Sequence, residues 1–174
     1  HSYKDLGSER PEGISLGCIT ERKYPHDILL MKKSKIKGLG NKKEILIGTS
    51  SPRRIVNAER FLIDYLPNTQ NDAYIKCETL RGNVNTRIEK LLSDQYDGII
   101  LALAGLERLA NKEDSKEILK ELTKDLTFMI MPLSIFPASA SQGALAIEYH
   151  ESQKEKIYPI LQSVHHEQTA EEIA

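Results

Sequence analysis

The chain has 174 residues, of which 40% are hydrophobic and 28% are charged, and its formal net charge is −1 at pH 7. This composition indicates a globular chain rather than a disordered or fibrous one, and no apolar run is long enough to span a membrane. A net charge near zero excludes overall steering toward polyanions such as nucleic acid, so any anion site must be local. We expect a reduced, cytoplasmic setting without a metal site, since Cys18 and Cys77 lie far apart and show no metal-ligand spacing.

The two ends of the chain lack the usual marks of natural termini. It begins at His1 without an initiator methionine or a secretory signal, and it ends in the acidic, helix-like stretch TAEEIA. We therefore expect it to be a segment of a longer protein.

Strand-like and helix-like segments alternate along most of the chain. Runs of β-branched and apolar residues predict strands, and apolar residues three or four positions apart predict helices. In chain order the predicted elements are a strand at 14–20, a basic solvated loop at 32–43, a strand at 44–50, a helix at 51–66, a strand at 73–77, a helix at 83–92, a strand at 97–104, a helix at 115–124, strands at 126–131 and 144–149, and a partly helical segment at 154–164. The alternation predicts an α/β fold with a mixed, mostly parallel sheet.

The first junction between a predicted strand and a predicted helix is GTSSPRR, at 48–54. Ser51 suits the helix N-cap and Pro52 the first helical position, so Arg53 and Arg54 fall in the first turn. Cations are unfavourable there because the N-terminal end of a helix carries partial positive charge. Two adjacent arginines at this point therefore indicate an anion as their partner.

Two later junctions repeat the arrangement. Arg81 follows the strand at 73–77, with Arg87 one turn into the next helix, and Arg108 follows the strand at 97–104. Ligands of open α/β sheets bind at the carboxyl ends of strands, and guanidinium groups pair two-pronged with carboxylates or phosphates. The pattern predicts a site for a ligand with several carboxylates or phosphates. The alternative is that these arginines are surface residues paired with nearby acids.

Several multi-residue motifs resemble those of one enzyme family, in the same order and spacing. GTSSPRR, LRGNVNTR and YDGIILALAGLERL resemble the GTSSLRR, LRGNVxTR and YDAIILAxAGLxRL segments of porphobilinogen deaminases, also called hydroxymethylbilane synthases. HSYKD at the start resembles the family's HSxKD, and SQGALAIE resembles its GQGALxIE strand. The resemblance runs from His1 to about Tyr149, and on it the chain is identified as a member of this family.

The resemblance implies a fold, a division into domains and a reaction. Family members have two α/β domains hinged like type II periplasmic binding proteins, with the active site in the cleft between them, and a third domain whose cysteine carries a dipyrromethane cofactor. On this pattern 1–21 and 143–161 belong to domain 1, 22–142 forms domain 2, and 162–174 begins domain 3. The family joins four porphobilinogen molecules, with loss of ammonia, into hydroxymethylbilane for tetrapyrrole (heme) biosynthesis, and its members are usually cytoplasmic monomers.

The resemblance also implies site residues. Asp5 matches the family's catalytic aspartate, whose carboxylate stabilises positive charge on the pyrrole as ammonia leaves and can act in acid/base catalysis. Gln142 and Gly143 match positions on the strand that returns to domain 1. All positions that match cofactor-binding or substrate-binding residues are Ser2, Lys4, Thr49, Ser50, Ser51, Arg53, Arg54, Arg81, Gly82, Arg87, Arg108, Gln142 and Gly143.

The sequence departs from the family pattern in a few places. Pro52 replaces a leucine, and Ser141 replaces the glycine of GQGA, where the backbone could differ as a result. Neither cysteine matches the attachment site of the cofactor, because Cys18 follows HSYKD and Cys77 precedes LRGN. We therefore expect this chain by itself to be inactive.

Two other functions compete with the enzyme. A non-catalytic, periplasmic-binding-protein-like module for small anions would share the fold and the helix-end arginines but would not need HSYKD or Arg108. Nucleotide-phosphate binding is disfavoured, because the sequence contains neither GxxxxGK[ST] nor GxGxxG.

Overall fold

The computed structural model describes residues 1–7 and 9–173, which divide into two compact units. One unit comprises His1–Pro25 with Ala138–Ala174, and the other comprises His26–Pro137. In chain order the elements are β1 (Ile14–Ile19), β2 (Asp27–Lys32), α1 (Lys33–Ile36), β3 (Glu44–Gly48), α2 (Pro52–Phe61), β4 (Tyr74–Glu78), α3 (Val84–Leu92), β5 (Gly98–Ala102), α4 (Leu103–Ala110), α5 (Glu113–Thr123), β6 (Leu126–Ile130), β7 (Ala146–His150), α6 (Lys154–Gln162) and α7 (Glu167–Ile173). Within the described ranges no helix is long and apolar enough to cross a membrane.

The unit formed by the two ends of the chain is built on a small antiparallel sheet. β1 pairs with β7, and α6 and α7 follow β7 in the chain. Its core contains a cluster of Cys18, Tyr149 and Leu161, with Ile157 packed against them.

The unit at His26–Pro137 contains a five-stranded mixed sheet in the order β4-β3-β5-β2-β6. β3 runs parallel to β4 and to β5, whereas β2 runs antiparallel to β5 and to β6. The predicted α/β class with a mixed sheet is therefore confirmed. Since β3, β4 and β5 share one direction, their carboxyl ends lie at the same edge of the sheet, where ligands of α/β folds bind.

Apolar side chains are buried on both faces of this sheet. Successive residues of β2 alternate between two clusters, with Leu29 and Met31 in one and Ile28 and Leu30 in the other, as the pleat of a strand requires. Ala58 of α2 belongs to the first cluster. The helical residues buried in the second are Ile88, Leu91, Leu106 and Leu119. Each fully buried aliphatic side chain stabilises the fold by about 1.5–3 kcal/mol relative to exposure.

The prediction of a solvated loop at 32–43 is wrong. The strand before this segment, β2, has no counterpart among the predicted elements. Lys33–Ile36 form α1, and Leu39–Asn41 form a short 3-10 helix. Leu39 is only 1% exposed, and Ile36 packs against the same core. The lysines give this segment the composition of a loop, but its few apolar side chains anchor it to the sheet.

The strand predicted at 97–104 is shorter in the structure, because β5 ends at Ala102 and α4 begins at Leu103. Its neighbour β2 begins at Asp27, which pairs with Ala102, so the ladder has no further partner there. The backbone N–H of Leu103 instead donates to the carbonyl of His26 at 3.0 Å. Because α4 already begins at Leu103, Arg108 lies in its last turn and not at its beginning.

Candidate active site

Thr49, Ser50 and Ser51 form the first junction, between β3 and α2. Thr49 is buried, and its Oγ1 accepts a hydrogen bond from the Ser51 N–H at 3.3 Å. Ser50 Oγ donates to the carbonyl of Leu80 at 2.7 Å, which ties this junction to the one after β4. Pro52 occupies the start of α2, as predicted, although the Ser51 side chain makes no capping hydrogen bond.

Arg53 and Arg54 share one buried carboxylate, that of Asp27. Arg54 Nε and Nη2 lie 2.9 and 2.8 Å from Asp27 Oδ1, and Arg53 Nη2 lies 2.7 Å from Oδ2. The predicted anion beside these two arginines is therefore present, but it is supplied by the chain itself. Both arginines are thus paired with an acid, as the alternative expects, but Arg54 is not a surface residue and the acid is fully buried.

The two arginines differ in how much of each remains accessible. Arg54 is 5% exposed and also donates from Nη1 to the carbonyl of Ile100 at 3.4 Å. Burial lowers the pKa of Arg54, and the adjacent charge of Asp27 opposes that change. The Arg53 side chain is 25% exposed, and its Nη1 donates to the carbonyl of Pro137 at 2.5 Å. Of the two, Arg53 is therefore the one better placed to contact a ligand.

Sequence reasoning missed Asp27. A signal was available, because Asp27 stands directly before the apolar run Ile28–Met31, and an acid at the start of a buried strand needs a cation. The partner could not be identified from local sequence, since Arg53 and Arg54 follow only after two intervening helical segments and β3.

The second junction joins β4 to α3 and contains Arg81, which is exposed. Gly82 has φ +118°, and a Cβ there would lie 2.9 Å from the Thr86 side chain, so a larger residue would be strained. Asn83 caps α3 by accepting from the Thr86 N–H at 2.9 Å. Arg87 Nε donates to the carbonyl of Gly82 at 2.7 Å and thereby holds the turn that carries Arg81.

Arg108 is not at a helix start, contrary to the sequence-based expectation. It lies in the last turn of α4 and is exposed. The stretch from β5 into α4 nevertheless brings it close to the second junction. Arg108 lines a pocket of about 360 Å³, together with Asn83, Asn85, Gly105 and Lys112.

Lys4 and Gln142 are in contact within the unit formed by the chain ends. Lys4 Nζ donates to Gln142 Oε1 at 3.3 Å. Gln142 is 1% exposed, and its Nε2 donates to the carbonyl of Pro25 at 2.6 Å. Arg22 Nε donates to the Gln142 carbonyl at 3.1 Å and so holds the backbone of the same residue. These contacts fix the amide that holds Lys4.

Gln142 and Gly143 do not lie on a strand, which corrects the prediction. They form part of a turn before β7, which begins only at Ala146. Gly143 has φ +100°, outside the range of strand backbone, and a Cβ there would lie 2.0 Å from the carbonyl oxygen of Lys23. Ser141 has no positive φ, so the serine in place of the family's glycine causes no backbone strain at that position.

Asp5 ends a short 3-10 helix, Tyr3–Asp5, and is exposed. Its N–H donates to the carbonyl of Ser2 at 3.0 Å. Ser2 forms an isolated antiparallel bridge with Leu145, and the N–H of Tyr3 donates to the carbonyl of Ala144 at 3.1 Å. The segment before β7 therefore holds the backbone of this turn, while the carboxylate of Asp5 remains accessible.

The two cysteines are poor nucleophiles at neutral pH. Burial, with a smaller contribution from Glu59, raises the pKa of Cys77 to about 12, and burial also raises the pKa of Cys18. We expect neither thiol to react with iodoacetamide at pH 7.5 in the native protein, because thiolate is the reactive form. Mass spectrometry of the native protein, with a denatured sample as control, measures how fast each thiol is alkylated. Alkylation of native Cys77 at the rate of the denatured sample would contradict the expectation.

The described part of the chain contains no group of three or more His, Cys, Asp or Glu side chains that could hold a metal ion.

Known proteins resemble this chain in two comparisons, one of structures and one of sequences. Among solved structures, a Salmonella typhimurium periplasmic binding protein with high arginine specificity is similar with a TM-score of 0.44 and 13% identity, covering 91% of this chain and 62% of that one. An amino acid ABC transporter substrate-binding protein of Streptococcus pneumoniae, bound to L-arginine, has a TM-score of 0.37 and 15% identity, covering 97% of this chain and 66% of that one.

Curated sequences are more similar. The porphobilinogen deaminase of Bacillus subtilis (strain 168) is 41% identical over 155 residues, covering 89% of this chain and 42% of that protein. The porphobilinogen deaminase of Streptococcus sanguinis (strain SK36) is 36% identical over 174 residues, covering 100% of this chain and 50% of that protein. The chain thus spans about half the length of the curated relatives it matches. Residues 1–158 match the family model described as "Porphobilinogen deaminase, dipyromethane cofactor binding domain", and this chain therefore belongs to the porphobilinogen deaminase family.

Proposed function

We propose that the protein containing this chain condenses four porphobilinogen molecules, with loss of ammonia, into hydroxymethylbilane. The observation that carries the proposal is the family match over residues 1–158. It agrees with the chemistry of the sheet edge, because porphobilinogen carries an acetate and a propionate group and this edge presents several arginines. Guanidinium groups recognise carboxylates by paired, charge-assisted hydrogen bonds.

In this proposal the accessible arginines of the candidate site bind the carboxylates of the substrate and of the growing chain. Arg53, Arg81 and Arg108 provide accessible guanidinium groups, and Ser50 and Ser51 provide hydroxyls beside the start of α2. The remaining residues of the predicted set support them. Arg54 pairs with the buried carboxylate that also contacts Arg53, and Thr49, Gly82 and Arg87 shape the two turns.

The carboxylate of Asp5 acts on the reacting pyrrole in this proposal. Ammonia leaves as positive charge develops on the substrate, and a carboxylate beside that charge stabilises the transition state. The same carboxylate can accept the proton that the attacked pyrrole carbon loses when the new bond forms. Lys4, held by Gln142, and Ser2 bind a carboxylate nearby, and Gly143 allows the tight turn that places Gln142.

The donor set also fits the dipyrromethane cofactor of the family, whose side chains are carboxylates too. When bound, this group supplies the pyrrole carbon to which the first porphobilinogen is joined. Arginine and serine donors suit its carboxylates, but Cys18 and Cys77 do not suit a covalent link, because burial raises the pKa of both thiols. We place the attachment cysteine in a third domain that begins at 162–174, after a first domain of 1–21 with 143–161 and a second domain of 22–142.

Incubation with porphobilinogen tests the proposal in the protein purified at its natural length. We expect hydroxymethylbilane to form, and we expect the intact mass of the protein to include a covalent dipyrromethane. A polypeptide of these 174 residues alone serves as the comparison and is expected to form no product. If the natural-length protein is unmodified and binds porphobilinogen without forming product, the alternative of a non-catalytic anion-binding module is supported instead.

A further inference from the structure

Asp27 lies at the edge of the sheet where the candidate site is. It is the first residue of β2, and because β2 runs antiparallel to β5, Asp27 pairs with Ala102 at the carboxyl end of β5. The carbonyl of Asp27 accepts the N–H of Met131 at 2.9 Å, so its backbone is held on both sides. Its side chain is 0% exposed. No ligand can reach this carboxylate directly, and its influence must act through its neighbours.

The two oxygens of Asp27 face different arginines. Oδ1 lies 2.9 Å from Nε and 2.8 Å from Nη2 of Arg54, and Oδ2 lies 2.7 Å from Nη2 of Arg53. Neutralising the buried Arg54 needs only the first oxygen. The second oxygen contacts Arg53 instead, whose side chain is 25% exposed.

Arg53 is held at two points of its guanidinium group. Nη2 meets Asp27, and Nη1 donates to the Pro137 carbonyl at 2.5 Å. These contacts engage only part of its five N–H donors. A flexible arginine loses side-chain entropy when it binds a ligand, whereas a guanidinium group already held in place loses less.

We propose that Asp27 is a positioning residue for carboxylate binding, which holds the guanidinium group of Arg53 in the orientation that meets a carboxylate of the ligand. The inference rests on the proposed function, in which Arg53 contacts that carboxylate.

A direct test must separate positioning from the stability of a buried charge. Asp27→Asn alone leaves Arg54 buried without its counterion, which destabilises the fold whatever else Asp27 does. An Arg54→Met background avoids this, because Asp27 keeps Arg53 as a counterion there and Asp27→Asn then leaves no buried arginine behind. The informative comparison is therefore Arg54→Met against Arg54→Met with Asp27→Asn, in the natural-length protein. The measurements are KM and kcat for porphobilinogen and the melting temperature.

Asp97 offers a matched control. It is also a buried aspartate, 5% exposed, next to the same sheet, and it is paired with Lys42 and with the N–H of Leu46. It precedes β5, at the opposite end of that strand from Ala102. Asp97→Asn is expected to lower the melting temperature and to leave KM unchanged.

In the Arg54→Met background we expect Asp27→Asn to raise KM by about 10-fold, the loss of roughly one charge-assisted hydrogen bond. kcat should change less than about twofold. The melting temperature should stay within a few degrees of that of Arg54→Met, because the change in stability is small. An unchanged KM would overturn the inference, and so would a lower KM, which would mean that Asp27 competes with the ligand for Arg53. If Arg54→Met does not fold, Asp27→Glu in the natural background takes its place. That change keeps the charge but moves the carboxylate by one methylene, and an unchanged KM would again overturn the inference.

The test also distinguishes this inference from the proposed function. If Arg53→Ala has wild-type KM and kcat, Arg53 does not bind substrate and the proposed role of Arg53 fails. If Arg53→Ala is impaired but Asp27→Asn leaves KM unchanged in the Arg54→Met background, the positioning role alone fails.

Discussion

Replacing Arg53 by alanine is expected to abolish cofactor assembly or chain elongation in the natural-length protein. Its guanidinium group is the accessible one of the pair at the start of α2, and it is already held by Asp27 and by the Pro137 carbonyl. A two-pronged contact with a carboxylate consists of two charge-assisted hydrogen bonds, each worth about 1.5–3 kcal/mol. Their loss predicts a fall in kcat/KM of about 100-fold or more. The rate of hydroxymethylbilane formation measures this.

Arg60→Ala is the matched control for that experiment. Arg60 lies in the last turn of the same helix, is exposed, and stacks over the ring of Phe61 at 5.2 Å. It carries the same charge at the opposite end of α2, so we expect kcat/KM to stay at the wild-type value. Arg53→Lys should recover only part of the activity, because an ammonium group is a point charge without the planar fork. Wild-type turnover in Arg53→Ala would remove Arg53 from the site.

Replacing Asp5 by asparagine is expected to reduce kcat by about 100-fold to 10,000-fold, the usual range for a catalytic acid or base. Asparagine keeps the shape of the side chain but loses the negative charge that would stabilise the developing cation and accept a proton. Because Asp5 is exposed at the end of its 3-10 helix, the change should leave the fold and KM largely intact. Steady-state kinetics with porphobilinogen and the melting temperature test both expectations.

Glu12→Gln provides the comparison for Asp5→Asn. Glu12 is an exposed carboxylate in the turn before β1 and belongs to the same unit. The loss of one surface charge there should leave kcat unchanged. If Asp5→Asn retains wild-type kcat, or if Glu12→Gln loses as much activity as Asp5→Asn, the catalytic assignment of Asp5 is wrong.

Elements whose pattern is complete within a short stretch could be predicted from the sequence. The apolar run before Ala102 and the capped start of α3 at Asn83 are local features, and the structure contains both. The convergence of three junctions at one edge was also predictable, because strands that alternate with helices of this length favour a mostly parallel arrangement. β2 was not predicted, although its apolar run Ile28–Met31 is a local signal. Its place between β5 and β6, in contrast, depends on pairing with strands far along the chain.

The candidate site shows the same division. Pro52 has a role that follows from backbone geometry at a single position, and it lies at the start of α2 as predicted. The position of Arg108 within α4 was misjudged, because the end of β5 is decided by where its neighbour β2 begins. Gln142 was expected on a strand but lies in a turn, where its amide holds Lys4.

The sequence by itself determined the α/β class, the family, and the arginines that mark the carboxyl edge of the sheet, because each of these depends on contiguous motifs. Only the tertiary structure decided what the arginines at the start of α2 contact. The local physics required an anion beside Arg53 and Arg54, and it could not say whether a ligand or the protein supplies it. The fold brings the carboxylate of Asp27 between them, since β2 enters the sheet antiparallel and begins at the edge where β5 ends. A contact between residues so far apart in sequence depends on the packing of the whole sheet, which no local pattern contains.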